Sequence, residues 1–80
     1  MDEFILAVFR WINENRPPPG ALTQKKEIWS DIWVHEAFGI AVQMDQIRRK
    51  GSIREKGLLK ALLHELKDCE YRLWKLWFHN

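Results

Sequence analysis

Three histidines, one cysteine and eleven carboxylates are the groups in this chain suited to metal binding, acid–base or nucleophilic chemistry. Their spacing decides among those uses. His35-Glu36-Ala37-Phe38-Gly39 begins like the zinc-protease helix His-Glu-x-x-His, in which two imidazoles one turn apart hold the metal. Gly39 stands where the second imidazole is required, so the ligand pair is missing. His64 and Asp68 are four residues apart, a spacing that presents two ligands on one helical face. His35 falls near Asp68 if the two long helices form a hairpin, but all three residues lie off the apolar positions, on a face that reads as solvated. Cys69 falls among apolar residues at helical spacing, where a thiol serves as a small hydrophobe. No glycine-rich phosphate loop is present, no Ser-His-Asp or Cys-His pairing is assignable, and no Glu is followed three residues later by His as in di-iron bundles. The chain is expected not to be an enzyme and to use no cofactor and no metal.

Two basic features offer a different chemistry, contact with phosphates. One is the cluster Arg48, Arg49, Lys50, Arg54, Lys56 and Lys60 around Gly51; the other is the stripe Lys60, His64, Lys67, Tyr71 and Lys75. Asp45, Glu55 and Asp68 interrupt them. Thirteen Lys+Arg against eleven Asp+Glu leave a formal net charge of +2, too near balance to demand a polyanion. No short recognition helix of a helix-turn-helix is evident. Nucleic-acid binding through the Arg48–Lys60 region is the alternative reading and a protein partner the leading one.

The elements that position these groups are helical. Asp2 reads as an N-cap and Glu3 as a first-turn acid for a helix over about residues 3–15, which ends because Arg16 precedes proline. Its apolar residues nearly encircle it, so it should be covered on more than one side. Pro17-Pro18-Pro19-Gly20 reads as a stiff interhelix spacer ending in a turn, in preference to a proline ligand for an aromatic groove. Thr23 caps a second helix over about 23–50, whose expected buried face is Trp29, Trp33, Ala37, Ile40, Met44 and Ile47, with Ile28 and Ile32 alongside. Gly39 in its middle marks a kink or a close approach. Lys50-Gly51 is a C-terminal signal, and Ser52-Ile53-Arg54-Glu55 reads as a capping box opening a third helix at about 53–78. That helix carries the seam Leu59, Leu62, Leu66, Cys69, Leu73 and Leu76, widened by Leu58, Leu63 and Trp77.

Two long helices joined by so short a turn are antiparallel neighbours. The expected fold is all-α: a long antiparallel hairpin (about 23–50 and 53–78) with a shorter N-terminal helix (about 3–15), a single domain over residues 1–80. Pivoting the hairpin on Gly51 sets Trp33 opposite Cys69–Glu70 and gathers all five tryptophans at the end away from the turn. They are expected to form an aromatic mini-core, with a partly exposed binding surface as the alternative. A single core of this size supplies only about 3–5 kcal/mol, and one cysteine cannot form an intramolecular disulfide. A lone cysteine fits a reducing compartment. The opening run Phe4–Phe9 resembles the apolar part of a signal peptide, but Asp2 and Glu3 stand where positive charge belongs and Arg10 interrupts it. A soluble, cytoplasmic protein without membrane association is expected.

The first helix reaches only about 20 Å against about 40 Å for the others, which leaves the turn half of the hairpin without a third helix. Phe38, Met44, Ile47, Leu58, Leu59, Leu62 and Leu63 are therefore expected to form a protein interface, covered most simply by a second copy that completes a bundle. The functional expectation is a small interaction module, an adaptor, regulator or inhibitor acting as a homodimer.

Overall fold

Each helix begins and ends where local chemistry directs. The computed structural model describes residues 3–51 and 55–79, and among them it holds three helices and no strand: α1 (Glu3–Asn15), α2 (Gln24–Lys50) and α3 (Lys56–Phe78). α1 stops before Pro17; the Arg16 amide donates to the Ile12 carbonyl, and the Asn15 side chain donates to the Trp11 carbonyl at 2.8 Å. The connector then turns at Gly20, whose φ of 87° follows Pro19 and closes an Ala21 amide to Pro18 carbonyl bond of 3.1 Å, the geometry of a type II turn. Thr23 Oγ1 accepts from the Lys26 amide as the N-cap of α2. Gly51 ends α2 in the left-handed region, at φ 63°.

α2 and α3 form the antiparallel hairpin, with Ser30 against Trp77 and Trp33 against Arg72. These pairs lie about one turn beyond those expected from a pivot on Gly51. The displacement follows from the start of α3: its N-cap is Glu55, so the link between helices spans several residues beyond the glycine. The expected capping box rests on Ser52, outside the described residues. Glu55 itself makes no side-chain cap bond, and one of its carboxylate oxygens is buried without a partner among the described residues.

The core combines Ile5, Val8 and Ile12 of α1, Val34, Ala37, Ile40, Ala41 and Met44 of α2, and Leu62, Leu66, Cys69, Leu73 and Trp77 of α3. The α3 seam is as expected, with Leu59, Leu63 and Leu76 partly buried, but Leu58 is exposed. The α2 face is as expected at Ala37, Ile40 and Met44, with Ile47 partly buried, but not in its first turns. Ser30 and Val34 point inward, whereas Trp29, Ile28 and Ile32 are exposed and Trp33 is half-buried. The face is turned because α1 lies along the other flank of the hairpin, with Phe9 on Phe38 and Arg16 on Asp31, and leaves the tryptophan flank open. α2 also runs through Gly39 unbroken, and a Cβ there would meet nothing within 4 Å, so the glycine marks no close approach.

Candidate functional site

The placement of α1 determines which surfaces remain. Arg16 pairs with Asp31 at 2.6 Å, and the Phe9 ring stacks on Phe38 with centroids 4.5 Å apart. Glu27 Oε1 accepts from the Gly20 amide, which holds the connector to the first turn of α2. α1 therefore runs antiparallel to α2 starting at Asp31, and carries its first turns past Phe38 toward Met44. This corrects in part the expectation that the turn half of the hairpin lacks a third helix: α1 reaches about as far as Met44, short of the end of α2 at Lys50. The eight-residue connector climbs along α2, so the short helix is shifted toward the turn. Met44 and Leu62, expected at an interface, are buried at 4% and 5% exposure inside the chain's own core. Ile47, Leu59 and Leu63 pack partly against that core; Phe38 and Leu58 are the two of the set that stand exposed.

The tryptophans divide. Trp11 and Trp77 stack at 5.6 Å and 16°, and the Trp77 indole Nε1 donates to Ser30 Oγ at 2.9 Å, which closes this part of the end as an aromatic core. Trp29 and Trp74 remain over two-fifths exposed. They belong to the opposite side of the hairpin, where no described helix lies.

Two grooves follow from this geometry. The first, of about 370 Å³, runs between α1 and α2 and is lined by Phe9, Phe38, Ala41, Val42, Asp45, Gln46 and Arg49. Phe38 and Val42 are both 53% exposed at its mouth, Leu6 lies exposed one turn from Phe9, and the one acid and one base pair with each other at 3.0 Å. The second, of about 490 Å³, runs between α2 and α3 and is lined by Lys26, Trp29, Trp33, Asp68, Tyr71, Arg72, Lys75 and Leu76. Its aromatic floor is dressed with cations: the Arg72 guanidinium lies 4.6 Å from the Trp33 ring centroid and Lys75 Nζ 5.1 Å from that of Tyr71, while Trp74 stacks on the outer side of Tyr71. A third hollow lies under the proline connector and is lined largely by the connector's own prolines, Arg16 and Asp31.

The remaining candidate chemistry disperses. His35, His64 and His79 are exposed, Asp68 bonds Arg72 at 2.9 Å in place of a metal, and among the described residues no group of three His, Cys, Asp or Glu is placed to hold one. Cys69 is 2% exposed. Burial pushes its thiol up to about 11, aided by the negative charges of Glu36, Asp68 and Glu65 and opposed by Arg72, so it is a protonated core group. Around the turn, Arg48, Arg49, Lys50, Lys56 and Lys60 are exposed, Arg49 is engaged with Asp45, and Arg54 lies outside the described residues. No described helix is long and apolar enough to cross a membrane.

The α2–α3 groove was not located from the sequence because Trp29 and Trp33 were expected inside, with an exposed tryptophan surface only as the alternative. A signal was present: Ser30, Ala37 and Ala41 form a small-residue stripe on α2 of the kind that admits a neighbouring helix closely, which leaves the bulky stripe for the other flank. The chain matches no protein-family model, no curated protein and no solved structure.

Proposed function

We propose that this chain is a non-enzymatic helical interaction module that pairs as a homodimer through the groove between α1 and α2. The observation that supports this reading is the exposed apolar mouth of that groove, Phe38 and Val42 at 53% each, with Leu6 exposed one turn from Phe9. Contiguous apolar side chains rimmed by polar ones mark contact surfaces. Charge favours a second copy as the occupant. The groove holds one acid, Asp45, and one base, Arg49, so it carries no excess charge to oppose a second copy, and a two-fold axis passing between them lets the intrachain pair be exchanged across the interface. The turn half of the hairpin thus keeps a role at the interface, through Phe38 rather than through Met44 or Leu62.

The nucleic-acid alternative has less support. Arg49 is engaged with Asp45, and Asp45 itself sits beside the cluster that would have to meet phosphates.

Sedimentation across concentration tests the dimer. The expected result is a mass twice the 9.7 kDa of the chain. The variants Phe38→Glu and Val42→Arg, checked for helicity by circular dichroism, should shift it to monomer. Val42→Arg matters as the second variant because Phe38 also stacks on Phe9 within the chain. A monomer at about 200 µM refutes the dimer, since mass action favours association there. An unchanged dimer in both variants refutes this face.

A further inference from the structure

The second groove has a different occupant. We infer that the groove between α2 and α3 binds an acidic amphipathic helix of another protein, seated on Trp29 and Trp33 with its carboxylates at Lys26 and Lys75. This rests on the reading of the chain as an interaction module but uses the opposite side of the hairpin.

The hairpin has two flanks, and α1 fills one of them. The other is the equivalent groove of a four-helix bundle with its fourth member absent, a shape that a helix fits. Its floor is apolar and aromatic, and Trp29 is 45% exposed. Rigid aromatic side chains that stand open to water are the usual anchors of a contact surface.

Charge selects the partner. Three cations, Lys26, Arg72 and Lys75, line the groove against one anion, Asp68. Asp68 is already bonded to Arg72, and among the described residues neither Lys26 nor Lys75 has a carboxylate within ion-pair distance. A second copy seated here on a two-fold axis at the groove would set these cations against their own counterparts, which opposes self-association on this flank. A long polyanion is also disfavoured. Glu36 follows Trp33 by three residues on α2 and Glu65 precedes Asp68 by three on α3, both exposed, so the same flank turns acidic just beyond Trp33. From Lys26 to Trp33 the cationic stretch is about 10 Å, two helical turns, which suits a short acidic helix and stops a phosphate backbone from tracking onward.

The test uses the full chain and three probes: a synthetic amphipathic helix of about 18 residues with a Leu stripe flanked by Glu, its Lys-for-Glu counterpart, and a thymidine oligonucleotide of similar length. Calorimetry supplies the affinities at low and at physiological salt. The acidic helix should bind, weaken with salt, and exceed the basic helix by about tenfold or more. Lys26→Glu combined with Lys75→Glu should reverse that preference, and Trp29→Ala should lower affinity for the acidic helix by about tenfold, each variant remaining as helical as the parent. Equal binding of the acidic and basic helices, binding of the oligonucleotide alone, no binding at about 1 mM, or indifference to the charge reversal each overturns the inference. Phe38→Glu and Val42→Arg report on the other flank, so a dimer that persists while the peptide fails removes this proposal and leaves the first standing.

Discussion

Replacing Ser30 by alanine probes the closed end of the molecule directly. Ser30 is a polar residue buried to 3% exposure, and its Oγ accepts the Trp77 indole hydrogen at 2.9 Å. Trp77 is itself 9% exposed and covered on a face by Trp11, so water has little access to the freed N–H. A buried donor left without its partner costs about 1–3 kcal/mol. At 0.05–0.15 kcal/mol per residue a chain of this length holds about 4–12 kcal/mol in all, so the loss is a large fraction. Expressed as a melting temperature it is roughly 4–8 °C per kcal/mol. Trp77→Phe removes the donor and part of the ring, and its own cost mixes packing with hydrogen bonding. In that background Ser30→Ala should be nearly neutral, because no donor remains to be orphaned. The coupling between the two sites should therefore be about 1–2 kcal/mol. Urea unfolding followed by far-ultraviolet circular dichroism measures all four proteins, at one fixed chain concentration because dimer stability depends on it. Equal costs of Ser30→Ala in both backgrounds would show that the hydroxyl is not holding the indole. So would a loss below about 0.3 kcal/mol in the single mutant.

Two further perturbations test the backbone and the core thiol. Gly39→Ala should stabilise by up to about 1 kcal/mol, since the site is mid-helix with open space around a Cβ, whereas Gly51→Ala should destabilise by about 1–2 kcal/mol because φ is 63° there; denaturant midpoints distinguish the two signs. Cys69 has a folded pKa near 11 against 9.0 for the free thiol, so its contribution to stability is complete below about pH 9 and is lost as pH climbs to 11. Unfolding midpoints should fall over that window and Cys69→Ala should flatten the fall, while a thiol reagent at pH 8 should label the native chain only at the rate of its opening.

The helices were legible because their signals are local. Arg16 before Pro17, Thr23 at the cap and Gly51 after a basic last turn set three of the boundaries with no tertiary information. The α3 seam was equally readable, since Leu62, Leu66, Cys69 and Leu73 keep a single stripe on a helix whose other faces are mostly polar. α2 was readable at Ala37, Ile40 and Met44 but not in its first turns, because its apolar residues occupy most of its circumference and hydrophobicity alone ranks Trp29 and Ile32 above Ser30 and Ala41. Which flank is buried depends on where α1 docks. That in turn depends on the Arg16–Asp31 pair and the turn at Gly20, contacts between segments that no periodicity encodes. The candidate grooves inherit this limit. Phe38 was identified as surplus apolar surface and is exposed, but Met44 and Leu62 were assigned to the same surface and lie inside.

The two flanks of the hairpin also differ in what a helix meets on them, and that difference bears on how each would hold a partner. On the α1 side the flank is covered, and α1 buries Ile5, Val8 and Ile12 in the core to 2% exposure or less. On the open side Trp29 and Trp33 project from α2 and Arg72 and Leu76 from α3. Helix axes pack 8–10 Å apart according to the side chains between them, so a helix seated there stands toward the far end of that range. Contact then concentrates on a few rings rather than spreading along a seam. A truncation at Trp29 should accordingly cost most of the affinity, whereas one at half-buried Leu76 should cost little. A binding energy spread evenly over the groove in an alanine scan would contradict the geometry on which the acidic-helix proposal rests.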